Sequence, residues 1–309
     1  MKITKDHLYN DLIQQLNDSR YIPSWVQAYM RKTTLMQTTT TSITYHPFKF
    51  RIYHENTDKS DVNKLLKQIK HLKKYFTENI MDLGTTTINI VLILSKKVKM
   101  IDKSKNINKV IDKDNINSGV CIHSSNPKDV HIIIYRREDL MKVLFHEIIH
   151  YIGADLRFYD EFKINNIEVM IQTYIPSLSN IDIYFNEAFT EALARYHYTQ
   201  FSKQDLGKQQ EYSIEVVKKF LALYNCRDLN EFSKLKKYNE KSHAFSYIVI
   251  ASALLNSDDL ISDVIVKGDM NDLENIVYKS LIQSNKWYKA TTNIRLNKNK
   301  MKFYLKLSI

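Results

Sequence analysis

The stretch from about Glu138 to Ile152, ended by Gly153, constrains this chain more than any other. Leu140, Val143, Leu144, Phe145, Ile148, Ile149 and Ile152 cover nearly the whole circumference of a helix there, so that helix has to be buried on most sides. Into this apolar rod the sequence inserts His146-Glu147-Ile148-Ile149-His150. Histidines at i and i+4 share one helix face, so both imidazoles can point at one ion. The glutamate after the first histidine projects roughly 100° further round, beside that ion and not on it. A buried imidazole pair with a carboxylate is costly unless something satisfies it, and a Zn²⁺ ion does so directly.

The rest of the chain reads as α+β, with the strands in the N-terminal half and mostly helix after them. Residues 1–36 carry Leu8, Leu12, Ile13 and Leu16 at near-helical spacing, interrupted at Pro23. Ile43, Tyr45, Phe48, Phe50 and Ile52 suggest one or two strands broken at Pro47. From Asp58 to Phe76 one apolar stripe (Val62, Leu65, Leu66, Ile69, Leu72, Phe76) faces a lysine-covered side, which predicts an amphipathic helix. The β-branched run 85–94 predicts a buried strand, 96–117 a loop, and 118–123 and 130–135 two short strands. Helices are expected at Asn186–Tyr198, 208–225 and 242–255, and the tail MKFYLKLSI alternates like a closing strand. This organisation suggests N-terminal helices and strands over 1–84, a central region over 85–200 and a helical lobe over 201–309, forming one continuous unit. A cleft between a mixed sheet carrying the His146–His150 helix and the helical lobe is the expected place for a site.

Composition removes several classes. With 44% hydrophobic and 26% charged residues, the chain is neither disordered nor collagen-like, and two cysteines exclude a disulfide-stapled mini-domain. Cys121 and Cys226 with a polar start (MKITKDHLYN) lead us to expect a reducing, cytoplasmic setting. No window reaches the roughly 18 apolar residues of a spanning helix, so no membrane partner is expected. The net charge of +11 could favour nucleic acid, but the lysines are dispersed along the chain and no nucleic-acid motif accompanies them.

A tetrahedral catalytic zinc needs a third protein ligand. Glu187, in Asn186-Glu187-Ala188-Phe189-Thr190-Glu191, shares a helix face with Glu191, Ala194 and Tyr198. Glu187 is placed to bind the metal, and Glu191 to accept a hydrogen bond from a ligand imidazole. Asp155, returning in a turn after Gly153, and His197, off the Glu187 face, stay open as alternatives. His123 and His131 flank the strand pair and read as background.

HEIIH followed by the downstream NExxxE helix resembles the gluzincin zinc metallopeptidases, the thermolysin-like and M1-aminopeptidase-like group, over roughly residues 85–200. The resemblance implies one Zn²⁺ held by His146, His150 and Glu187, Glu147 as the general base activating the zinc-bound water, and Glu191 in support. It implies a peptide or protein substrate aligned along an edge strand, expected at 130–135. A later Tyr or His stabilises the oxyanion in that group, and His243 and Tyr247 are the candidates here. Between His150 and Glu187 lie 36 residues, longer than the compact thermolysin spacing, and the glycine of metzincins is present as Gly153 without their third histidine, since Leu156 stands there. Two other readings are a catalytically inactive interaction protein that keeps the metal for structure, and a basic nucleic-acid-associated protease with a different third ligand.

Overall fold

The structure is a computed structural model. It describes residues 22–35, 39–55, 58–84, 86–102, 110–124, 126, 129–158, 161–236, 238–269, 271–288 and 300–302. The apolar positions at 8–16, and the tail beyond 302, lie outside the described residues. An N-terminal mixed sheet is followed by a mostly helical C-terminal part, the α+β class expected. The chain divides into two compact units: the described parts of Met1–Lys99 with Asn117–Ala154, and of Met100–Ile116 with Asp155–Phe303.

In the first unit, helix α1 (Ser24–Leu35) precedes strands β1 (Thr39–Tyr45) and β2 (Phe48–His54), an antiparallel pair turning at His46–Pro47. Helices α2 (Lys59–Ile69) and α3 (Leu72–Asn79) lead to β3 (Ile88–Ile93), which runs parallel to β2. The single helix expected over Asp58–Phe76 is therefore two, broken at Lys70–His71. Both halves still bury the predicted stripe (Val62, Leu65, Ile69, Leu72, Phe76). Strand β4 (Gly119–Cys121) pairs antiparallel with β5 (Ile132–Ile134), and β5 pairs parallel with β3.

The sheet order β1-β2-β3-β5-β4 corrects one expectation. The stretch 130–135 does not form an edge strand. Ile132, Ile133 and Ile134 are buried on both faces and hydrogen-bonded on both sides, as a continuous apolar run should be. The edge is β4, where a glycine and a cysteine flank Val120.

Alternation divides the sheet's side chains. Val91, Ile93, Val120 and Ile133 pack with Ile22, Val26 and Met30 of the α1 region. The opposite face presents Phe48, Phe50, Ile90, Leu92, Ile132 and Ile134. The helix carrying the histidines, α4 (Leu140–Ile152), lies against β4 and β5. Phe145 packs against Phe76 with ring centroids 4.9 Å apart and a 36° tilt, and Phe76 meets Phe48 edge-on at 6.4 Å. Gly153 closes α4 in the left-handed region at φ 66°, and Ala154 N–H returns to Ile149 O at 3.0 Å, a conformation glycine adopts without strain. The fully buried Arg136 ties the edge down. Its Nε donates to Asn117 O at 2.8 Å and its Nη1 to Val98 O at 2.8 Å, while its guanidinium lies over Trp25.

The second unit contains α5 (Glu161–Tyr174), α6 (Phe185–Ser202), α7 (Leu206–Leu223), α8 (Leu229–Ser233), α9 (Ala251–Leu255) and α10 (Leu273–Trp287). Asp205 and Asp228 cap α7 and α8 through their side chains. The helix expected from 242 begins later: Ser246–Ile250 winds as a π-helix before α9, and His243 precedes it at φ 54°. Within 96–117, read as loop, Met100–Asp102 pairs with Lys300–Lys302 and Lys113–Ile116 forms a helical turn. Among the described residues no helix is long and apolar enough to cross a membrane.

The Phe48–Phe76–Phe145 cluster seats α4 on its sheet. Truncating Phe145 to alanine is expected to cost about 3–5 kcal/mol of stability, read from denaturant unfolding. A loss below about 1 kcal/mol would mean that α4 is not held this way.

Candidate metal centre

Helix α4 places His146 and His150 one turn apart. Their Nε2 atoms face each other at 3.1 Å, with the rings edge-on at 79°. Two nitrogens each roughly 2.0–2.1 Å from a tetrahedral zinc lie about 3.3–3.4 Å apart, so the pair needs little movement to share an ion. His146 is 4% exposed and Glu147 7%; His150 is half-buried.

Glu147 lies against the edge strand. A Cβ added at Gly119 would sit 2.7 Å from Glu147 Oε1, 3.1 Å from its Cγ and 3.0 Å from Val143 Cγ1. The carboxylate occupies the volume that any other residue at 119 would fill. Sequence reading passed over Gly119, because SGVCIH registered only as a short strand. Its signal was a lone glycine in a strand pattern, which often marks close approach of another group.

In the second unit, α6 carries Glu187 in its first turn, half-buried. Glu168 of α5 accepts a hydrogen bond from Phe185 N–H at 2.9 Å and so caps this helix from a neighbouring element; burial raises its pKa. Tyr247 Oη donates to Glu187 Oε2 at 2.6 Å, so the structure joins two of the residues predicted for the site. His243 packs on Tyr184 at 3.9 Å between ring centroids. Burial holds its pKa below the usual histidine value, against an upward pull from Glu187 and Asp182. Glu191, 4% exposed, accepts from Arg195 Nε at 2.8 Å, a partner the sequence reading did not include.

The alternative ligands have other engagements. Asp155 accepts from Thr190 Oγ1 at 3.1 Å and from Leu156 N–H at 3.1 Å. His197 is buried with its ring edge-on to Tyr196 at 5.3 Å, and burial lowers its pKa to about 4. His131 fits its background role: Nδ1 accepts from Asn89 N–H at 3.1 Å, and the ring stacks on Tyr151 at 4.8 Å.

No family model matches this chain, and neither does any curated protein or solved structure.

Two consequences are measurable without assuming a function. Gly119→Val is expected to cost about 1–3 kcal/mol by overpacking, and Glu147→Ala in that background to recover part of it; additive losses would separate the two residues. His197 stays neutral in the fold until about pH 4 but protonates near 6.5 when unfolded. The unfolded state therefore binds the extra proton between those values, and stability falls as pH drops from 6.5 to 4. That residue should contribute about 3 kcal/mol of loss across this window, visible as the difference between wild type and His197→Met.

Proposed function

We propose that this protein is a zinc-dependent peptidase in which His146, His150 and Glu187 hold one Zn²⁺ and Glu147 is the general base. The observation that carries the reading is the pair of Nε2 atoms 3.1 Å apart on a buried helix, with a carboxylate packed against an edge strand beside them. Each of the three residues offers one ligand atom, two imidazole nitrogens and a carboxylate oxygen, and that donor set suits zinc. Bound there, zinc would polarise the scissile carbonyl and acidify water.

The chain's own residues supply the remaining chemistry. Among the described residues the outer side of β4 has no partner strand, so its backbone can pair with an extended peptide. The Glu147 carboxylate takes the proton of the attacking water as the new C–O bond forms. It then gives that proton to the amine nitrogen as the C–N bond breaks. Tyr247 steadies Glu187 through its 2.6 Å hydrogen bond, and Glu191 orients a ligand imidazole. His243 is the donor assigned to the developing oxyanion; Tyr247, the other candidate, would first have to give up the hydrogen bond by which it steadies Glu187. The proposed setting is reducing and cytoplasmic, with which the absence of a disulfide between Cys121 and Cys226 is compatible.

An intact Glu147 speaks against a purely structural metal, which has no use for a base at that position. Metal analysis of the purified protein is expected to find one zinc per chain, lost in Glu187→Ala and kept in Glu147→Gln. Peptide hydrolysis in Glu147→Gln should fall by roughly 10²–10⁴. Full zinc in Glu187→Ala would reject that ligand, and undiminished hydrolysis in Glu147→Gln would reject the mechanism.

A further inference from the structure

Immediately beyond the histidine pair the first unit contains a second feature that the hydrolytic machinery does not use. A cavity of about 460 Å³ opens at the C-terminal end of α4, where Tyr151 follows His150, and at the end of the edge strand, where His123 and Ser124 follow Cys121. Leu83 and Ile152 form part of its apolar wall. Three observations define its chemistry. First, Tyr151 is clamped as a flat plate: His131 stacks on it at 4.8 Å with a 22° interplanar angle, and His123 lies nearly parallel at 6.1 Å and 7°. Second, Asp82 stands exposed at the rim, and no lysine or arginine is among the described residues lining the cavity. Third, Asp129, outside the lining, is engaged by Ser124 Oγ at 2.6 Å and by Asn126 Nδ2 at 2.8 Å, which leaves Asp82 as the carboxylate that faces the cavity.

An apolar shaft with an ordered aromatic ring in its wall and the Asp82 carboxylate at its rim form a receptor for a long cationic side chain. Among the described residues of the lining the one formal charge is negative, opposite in sign to the chain's net charge of +11. We infer that this cavity binds a lysine or arginine side chain of the peptide, so that the enzyme selects substrates with a basic residue close to the scissile bond. The inference deepens the peptidase reading and rests on it for the word substrate, but the recognition itself is testable without catalysis.

The test uses the full-length Glu147→Gln protein, so that no peptide is consumed. Fluorescent, end-blocked alanine-based peptides carry Lys, Arg, Leu or Glu at a single position, and affinity is read by anisotropy at low and high salt. Lys and Arg peptides are expected to bind on the order of tenfold tighter than Leu, and Glu peptides weakest, with the preference shrinking as salt rises. Asp82→Asn should remove most of that preference. Equal affinity for Lys and Leu peptides, or an unchanged preference in Asp82→Asn, would overturn the assignment. Zinc content, measured on the same samples, separates the two readings. A preference for basic peptides in protein without zinc upholds the cavity and overturns the hydrolase, while zinc-loaded protein indifferent to side-chain charge does the reverse.

Discussion

Two imidazoles and a carboxylate sit on one helix whose other sides are apolar and covered, and the first unit is arranged around the cost of keeping them there. Burial of such groups has to be compensated within a few ångströms. The arrangement brings the Nε2 atoms of His146 and His150 to 3.1 Å and lays the Glu147 side chain in the space left by a missing one at Gly119. The helix is then anchored from both ends and from below. Gly153 turns the chain at its C-terminus, the Phe76–Phe145 pair seats it on the sheet, and Arg136 fixes the strand segments that meet beside it. A proposed cation at the imidazole pair would complete the compensation for which the geometry already provides.

The second unit shows the same accounting for acids. Glu187 receives the phenol of Tyr247, Glu191 the guanidinium of Arg195, Glu168 an amide of the α6 first turn, and Asp155 the hydroxyl of Thr190. Each of these four carboxylates accepts a hydrogen bond. For the buried Glu191–Arg195 ion pair, deleting one partner typically costs about 3–5 kcal/mol, because the charge left behind has nothing to replace it. His197 solves its burial the other way, by staying neutral.

Much of this was readable from the chain. The apolar periodicity of Leu140–Ile152, the glycine that ends it, the β-branched run of β3 and the stripe from Val62 to Phe76 all recur in the structure, since each depends on neighbours within a turn or two. The misreadings share a cause. The gluzincin resemblance implies an edge strand at 130–135, the strand just before the helix, and only the pairing of β4 outside Ile132–Ile134 decides otherwise. The stripe gave no sign of the break at Lys70–His71, because both halves keep the same buried side. His243 and Tyr247 were expected on one regular helix; instead the backbone passes through positive φ and a π-turn, which no local propensity encodes. Gly119 was overlooked because its meaning lies in a side chain 28 positions away.

The amino-acid sequence by itself determined the α+β division and the helix with its two histidines and glutamate, because hydrophobic period and i,i+4 spacing are local properties. The tertiary structure alone decided which strand lies at the rim, which residue must have no side chain, and which phenol, guanidinium and hydroxyl meet each buried acid. Those are contacts between segments tens of residues apart. Their partners are selected by packing and by the need to satisfy every buried polar group, and neither constraint can be read in a window of neighbouring residues.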